Sequence, residues 1–139
     1  MYLSNGDLLA ILIALTGSCY VMIKSIQANG KLQKEINQLK WQQPEGSKYL
    51  YKRCRFGIIE GEKDTCSLYM LANPTGRAGK QKAYLQKWIP GEGVLYKAAT
   101  VDESLSALAV RDDGRFVALG TMFSGSVSIY IAFSLQRVL

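Results

Sequence analysis

The stretch Asn5–Ile23, NGDLLAILIALTGSCYVMI, recurs 108 residues later as Asp113–Ile131, DGRFVALGTMFSGSVSIYI, with no gap between the copies. Gly6 aligns with Gly114, Ala10 with Ala118, Gly17-Ser18 with Gly125-Ser126 and Ile23 with Ile131. Most other positions exchange one apolar residue for another, such as Leu8 for Phe116 and Val21 for Ile129. Each copy reads as turn, strand, tight turn, strand. A recurring supersecondary unit that cannot bury its own faces marks a repeat architecture, in which neighbouring units cover one another.

The second copy sits in the clearest unit. Ser104–Val110 alternates apolar and polar residues, with Leu105, Ala107 and Ala109 out of phase with Leu108 and Val110. That pattern predicts a strand covered on both faces. Asp112-Asp113-Gly114 is a hairpin turn, Gly supplying the positive φ. Arg115–Met122 and Ser126–Phe133 follow as strands around Ser124-Gly125, and Ser134–Leu139 gives a short, more polar outer strand. Four antiparallel strands in about 40 residues is the size of one propeller blade. Ala107, Ala109, Val117, Leu119, Val127 and Ile129 are expected in its core.

The middle repeats that order with longer loops. Strands are expected at Tyr49–Ile58, Cys66–Ala72, Ala83–Ile89 and Val94–Val101, separated by the charged loop Glu60–Asp64, the loop Asn73–Gln81 and a turn at Pro90-Gly91. The first third supplies the later strands of a unit, Leu8–Leu15 and Cys19–Ile23 paired across Thr16–Ser18, then Lys31–Trp41, whose LQKEINQLKW has helical propensity. The expected fold is all-β, a partial and unclosed propeller of about two and a half blades. Its expected units are 1–41, a partial blade of later strands; 42–101, a blade with long loops; and 102–139, a blade. Propellers close with about four to eight blades, so the chain reads as a piece of a longer protein.

Leu8–Ile23 contains no charged residue and is the one rival to this reading, as a membrane anchor or signal segment. A spanning helix needs about 20 apolar residues, with about 17 as the lower limit. The run also carries turn chemistry, Thr16-Gly17-Ser18, in its interior, and no basic residue precedes Lys24 as a signal peptide requires. Two strands around a tight turn are expected instead.

The composition is that of a folded domain, 48% apolar and 20% charged, with a net charge of +6. Between Lys24 and Lys87 there are thirteen Lys and Arg against five Asp and Glu, an excess scattered over several elements and read as a solvated basic rim. Cys19, Cys54 and Cys66 occur at no metal-ligand spacing and in odd number, which fits buried thiols in a reducing compartment. There is no histidine. The usual general base, the usual zinc ligand and every Ser-His or Cys-His nucleophile are thereby excluded. Enzymatic acid–base chemistry is not expected.

Three motifs suggest chemistry. Thr75–Gln81, TGRAGKQ, resembles a phosphate loop, but Pro74 stands where the first Gly is needed and Gln81 where Ser or Thr must follow Lys80. It reads as a surface loop. The acidic pairs Asp102-Glu103 and Asp112-Asp113 place neighbouring side chains on opposite faces of a strand, so adjacency builds no common site. Asp112-Asp113-Gly114 is accounted for by its turn. Lys52-Arg53-Cys54-Arg55, interleaved with Tyr49, Tyr51 and Phe56, admits nucleic-acid contacts. On a regular strand Tyr51, Arg53 and Arg55 share one face and Lys52, Cys54 and Phe56 the other, and aromatic stems packing between blades explain the pattern as well. No residue is assigned a catalytic, cofactor-binding or metal-binding role, and no cofactor is implied.

Three strings carry a family resemblance: ALGT at Ala118–Thr121, GSVSIYIAFSLQ at Gly125–Gln136 and CRFG at Cys54–Gly57. Glu103–Leu139 is similar to the later blades of WD-repeat proteins, and more narrowly resembles the prolactin regulatory element-binding protein family. The resemblance is strong over the last 36 residues, weaker over Tyr49–Val101 and weakest before Trp41. The Trp-Asp dipeptide that names WD repeats is absent: Met22, Trp88 and Tyr130 stand in the Trp place, and Ile23, Ile89 and Ile131 in the Asp place. The resemblance implies a partial WD-repeat β-propeller from a guanine-nucleotide exchange factor at the cytosolic face of the endoplasmic reticulum membrane. Its implied partner is the Sar-type small GTPase that starts COPII coat assembly. In the family, the loop that supports exchange lies in N-terminal blades and the membrane anchor is a C-terminal span, neither of which this sequence contains. The alternatives are an interaction scaffold without exchange activity, and nucleic-acid binding through the basic middle segment.

Overall fold

A computed structural model describes residues 8–15, 18–26, 32–43, 48–58, 66–75, 81–89 and 94–139, with side chains described for 41–43, 48–57, 67–75, 81–89 and 95–139. The described elements are strands: β1 Leu8–Leu15, β2 Ser18–Ile26, β3 Leu32–Lys40, β4 Tyr49–Ile58, β5 Cys66–Pro74, β6 Ala83–Ile89, β7 Val94–Val101, β8 Leu105–Val110, β9 Phe116–Thr121 and β10 Val127–Ile131. They form three open antiparallel meanders, β1-β2-β3, β4-β5-β6-β7 and β8-β9-β10. β4 packs against β8 and against β1 and β2. The all-β class is borne out, and three unclosed sheets laid face to face are consistent with a partial β-propeller.

The uncharged N-terminal run forms the expected pair. β1 and β2 run antiparallel in register from Leu8↔Ser25 to Leu15↔Ser18, so the run is split between two strands. Among the described residues no helix is long and apolar enough to cross a membrane. β3 is a strand although its sequence favours a helix, because seven of its nine residues find a ladder partner in β2. Backbone pairing outweighs a propensity difference of a few tenths of a kcal/mol per residue.

Burial separates the middle sheet from the last. Leu68, Tyr69, Met70, Leu71 and Ala72 are buried in succession, as a strand covered on both faces requires. Tyr69 and Leu71 join Leu85 of β6 in a cluster with Leu105, Leu108, Val117, Leu119 and Tyr130 of the last sheet. Leu68 and Met70 point the other way, with Cys54 and Trp88, and meet Trp41, Tyr51, Phe56 and Leu95. The last sheet alternates instead: Val117 and Leu119 are buried while Val127 is 67% exposed.

Four of the six expected core positions in this sheet are corrected. Val117 and Leu119 are buried, but Ala107, Ala109 and Val127 are exposed and Ile129 is half-buried. A bulge at Ser106, between the pairs Leu105↔Thr121 and Ala107↔Gly120, shifts the phase of β8 and turns Leu108 inward. In β10, Ser128 and Tyr130 lie opposite Leu119 and Val117 and share their buried face, which sends Val127 outward.

The expected fourth strand, Ser134–Leu139, is also corrected. The chain turns through residues 132–134, Leu135 takes a φ of 55°, and a single bridge, Tyr130↔Arg137, remains beside β10. A bulky residue in the left-handed region interrupts a regular ladder. Ile131 N–H still donates to the Gln136 carbonyl at 2.9 Å and Val138 N–H to that of Ile129 at 2.8 Å, so the segment lies alongside without becoming a strand.

Candidate interaction surface

The hairpin turns set the geometry at the end of the last sheet. Gly114 has a φ of 74° and donates its N–H to the Arg111 carbonyl at 2.8 Å. Asp113 accepts from the Arg115 N–H at 3.0 Å and pairs with Arg111 at 3.0 Å. Its carboxylate therefore serves the turn, as its sequence context indicates. At the next turn Gly125 has a φ of 68°, and the hydroxyls of Thr121, Ser124 and Ser126 form a chain with separations of 2.8 and 2.9 Å.

Glu103 locks that turn. Its Oε1 accepts from the Ser124 N–H at 2.9 Å and the Phe123 N–H at 3.0 Å. The Ser124 backbone contact above all holds its carboxyl below the usual carboxylate range. Asp102 beside it is committed to Lys82 at 3.3 Å. The acidic pair is thus divided between two structural duties.

Between the end of β7 and the last sheet lies a cleft of about 470 Å³, bordered by Thr100, Glu103, Thr121, Ser126, Ser128 and Arg137 among others. Its polar lining consists of hydroxyls, the engaged carboxylates of Asp102 and Glu103, and Arg137. They supply neither a nucleophile–base pair nor a metal shell, and no cluster of His, Cys, Asp and Glu among the described residues would hold an ion.

The other motifs resolve as follows. Of the loop Thr75–Gln81, residues 76–80 lie outside the described residues; Thr75 closes the base of the loop by donating its N–H to the Lys48 carbonyl at 2.9 Å. In the basic cluster the expected face assignment is corrected. A register shift between Tyr51 and Arg53 makes Lys52 a bulge, which brings Tyr51 to the same face as Cys54 and Phe56. Arg53 and Arg55 face the opposite way and are exposed. Basic and aromatic side chains therefore part, and the aromatics pack around Trp88 instead of offering a stacking platform. Cys54 is buried, and burial raises its thiol pKa. The side chains of Cys19 and Cys66 lie outside the described ones.

No family model matches the chain. Comparison with curated proteins finds guanine nucleotide-exchange factor SEC12 of Mus musculus and of Rattus norvegicus, each 37% identical over 109 residues. The match covers 74% of this chain and 26% of each relative, so the chain spans about a quarter of their length. The resemblance to the prolactin regulatory element-binding protein family is borne out.

Proposed function

We propose that this chain, similar to SEC12 over most of its length, is part of a guanine-nucleotide exchange factor for a Sar-type small GTPase. It would act in ER-to-Golgi COPII vesicle formation at the cytosolic face of the endoplasmic reticulum membrane. The observation that carries this reading is the 37% identity over 109 residues. Such a factor stabilises the nucleotide-free state of its GTPase by contacts alone, so it needs no nucleophile and no general base. A histidine-free chain of stacked sheets is compatible with that task. We read residues 1–41, 42–101 and 102–139 as successive blades, with the chain contributing rim surface and not a catalytic residue.

The test is nucleotide release from a Sar-type GTPase, followed with a fluorescent guanine nucleotide. It is run with the 139-residue chain alone and with the chain grafted in place of the matching segment of mouse SEC12. The graft is expected to exchange, and the chain alone is not, because the family's exchange-supporting loop lies in other blades. A graft that folds and binds the GTPase without releasing nucleotide would identify a scaffold instead. Robust exchange by the chain alone would relocate the active surface to the basic loops between Lys48 and Lys87.

A further inference from the structure

Lys87 and Lys97 tie the middle sheet to the turn after β10. Their Nζ atoms donate to the Ala132 carbonyl at 2.8 Å and the Phe133 carbonyl at 3.4 Å, among the rings of Tyr69, Tyr96 and Phe133. Further along β7 the cleft of about 470 Å³ opens, with Ala99, Thr100 and Val101 on one side and Ser128, Tyr130 and Leu135 on the other. Ser128 and Tyr130 are only 7% and 5% exposed, yet both line the cleft. Neither hydroxyl forms a hydrogen bond with another described residue. A polar group on a buried side chain is costly to leave unpaired, so both hydroxyls mark a place for a partner.

The other side of the cleft is a sheet edge. β7 is the outer strand of the middle sheet, and its far edge pairs with no described strand. Its first half is protected: Tyr96 is a bulge, skipped between the pairs Trp88↔Leu95 and Lys87↔Lys97, and Lys97 adds a charge. Its second half, Ala98, Ala99, Thr100 and Val101, pairs regularly with Gln86, Leu85, Tyr84 and Ala83 and carries no charge. A regular, uncharged edge is a template for a further strand. Three of those four residues border the cleft.

We propose that the cleft takes an extended segment of a protein partner, added as a further strand along Ala98, Ala99, Thr100 and Val101. Strand addition supplies main-chain hydrogen bonds, and contacts to alternate side chains supply specificity. Ala99 and Val101 pack toward the last sheet, so the alternate side chains of the added strand that face the same way meet β10. Ser128 and Tyr130 are two residues apart on one face of β10, about 6.8 Å along the strand, which is the repeat of same-face side chains in any extended segment. Thr at two alternate positions fits best, because it joins strand propensity to a hydroxyl that both donates and accepts. Its methyl group lies against Val101 and Leu135. Asp102 and Glu103 are engaged by Lys82 and the turn amides, so the cleft does not call for a charged ligand. A free polyol is the poorer match, because it leaves the β7 edge unpaired. The site stands apart from the exchange-factor reading, since it rests on the geometry of β7 and β10.

The experiment is an NMR titration of the full chain with a soluble peptide that has Thr at every second position and Lys and Glu in turn between them. The amides of Ala98, Ala99, Thr100 and Val101 and those of Ser128 and Tyr130 are expected to shift together and to saturate. The same peptide N-methylated throughout cannot pair with an edge and should leave them unmoved. The double variant Ser128→Ala with Tyr130→Phe removes both hydroxyls without enlarging a side chain. It should keep the parent's melting temperature and bind about tenfold more weakly, the scale of two lost hydrogen bonds. A peptide with Ala in place of Thr tests the same contacts from the other side, with the unsubstituted chain, and should be weakened alike. No saturable shift with the Thr peptide, equal binding by the methylated peptide, or undiminished binding after both hydroxyl removals overturns the proposal. Shifts at Ser128 and Tyr130 with free sorbitol but not with the peptide would assign the cleft to a polyol and overturn it as well.

Discussion

Asn73, near the end of β5, grips both polar groups of Leu105, the first residue of β8: its Nδ2 donates to the Leu105 carbonyl at 2.7 Å and its Oδ1 accepts from the Leu105 N–H at 2.8 Å. One side-chain amide thus acts as a strand neighbour between two sheets whose backbones do not pair. Leu105 is fully buried in the cluster between those sheets, so the clamp fixes where the last sheet enters the stack.

Asn73→Ala is expected to destabilise the chain by about 1–3 kcal/mol, because it leaves a part-buried N–H and carbonyl without partners. Asn73→Asp keeps the acceptor and loses the donor, so it should fall between the two. Urea denaturation midpoints give the order, and an Asn73→Ala midpoint equal to the parent's would mean that the clamp is dispensable.

Core and surface positions of the last sheet should separate sharply. Leu119 is buried on the face toward the middle sheet, and Leu119→Ala should cost about 2–5 kcal/mol. Val127, two-thirds exposed on the opposite face, should tolerate Val127→Ala within about 0.5 kcal/mol. The same denaturation series reads both. A reversed order would restore the phase that simple alternation assigns to β10.

The sheets were legible where local chemistry and pattern agree. Gly114 and Gly125 mark their turns in the sequence and take positive φ in the structure. The uncharged run Leu8–Ile23 falls into two antiparallel strands, β1 ending at Leu15 and β2 starting at Ser18, where the sequence carries turn composition. The bulges at Lys52 and Ser106 were not legible. Ser106-Ala107-Leu108-Ala109 is compatible with either phase, and only the partner strand selects one. The grouping of Lys87 and Lys97 with Tyr69, Tyr96 and Phe133 was not legible either, since these residues meet only when β5, β6, β7 and the turn after β10 are assembled. Their separation along the chain leaves no local signal.

Close approach makes Gly57 sensitive. A Cβ there would stand 2.8 Å from Tyr69 Cε2 and 3.1 Å from Val110 Cγ1. Tyr69 is 1% exposed and packed on both sides, so its ring has little room to retreat. Gly57→Ala is expected to cost about 1–3 kcal/mol, the range for overfilling a packed site. Gly57→Ala combined with Val110→Ala should recover part of that loss, because one of the two obstructing atoms is removed. A double mutant no more stable than Gly57→Ala would place the strain on Tyr69 alone.

Glu103 gives the turn after β9 a defined pH response. The backbone N–H of Ser124, then its hydroxyl and the Phe123 N–H, favour the carboxylate, and the folded-state pKa lies below its ordinary value. The unfolded chain therefore binds a proton at a higher pH than the folded chain does. The stabilisation is present above the unfolded carboxyl pKa, about 4.3, and disappears as pH falls through the lower folded value. On acidification the Phe123 and Ser124 amides should shift together and lose exchange protection, while those of Val117 and Leu119 in β9 stay protected. Glu103→Gln should abolish that coupled shift, because a neutral amide still accepts a hydrogen bond but no longer titrates. NMR titration of the two amides is the measurement. Unchanged coupling in Glu103→Gln would assign the transition to another carboxylate.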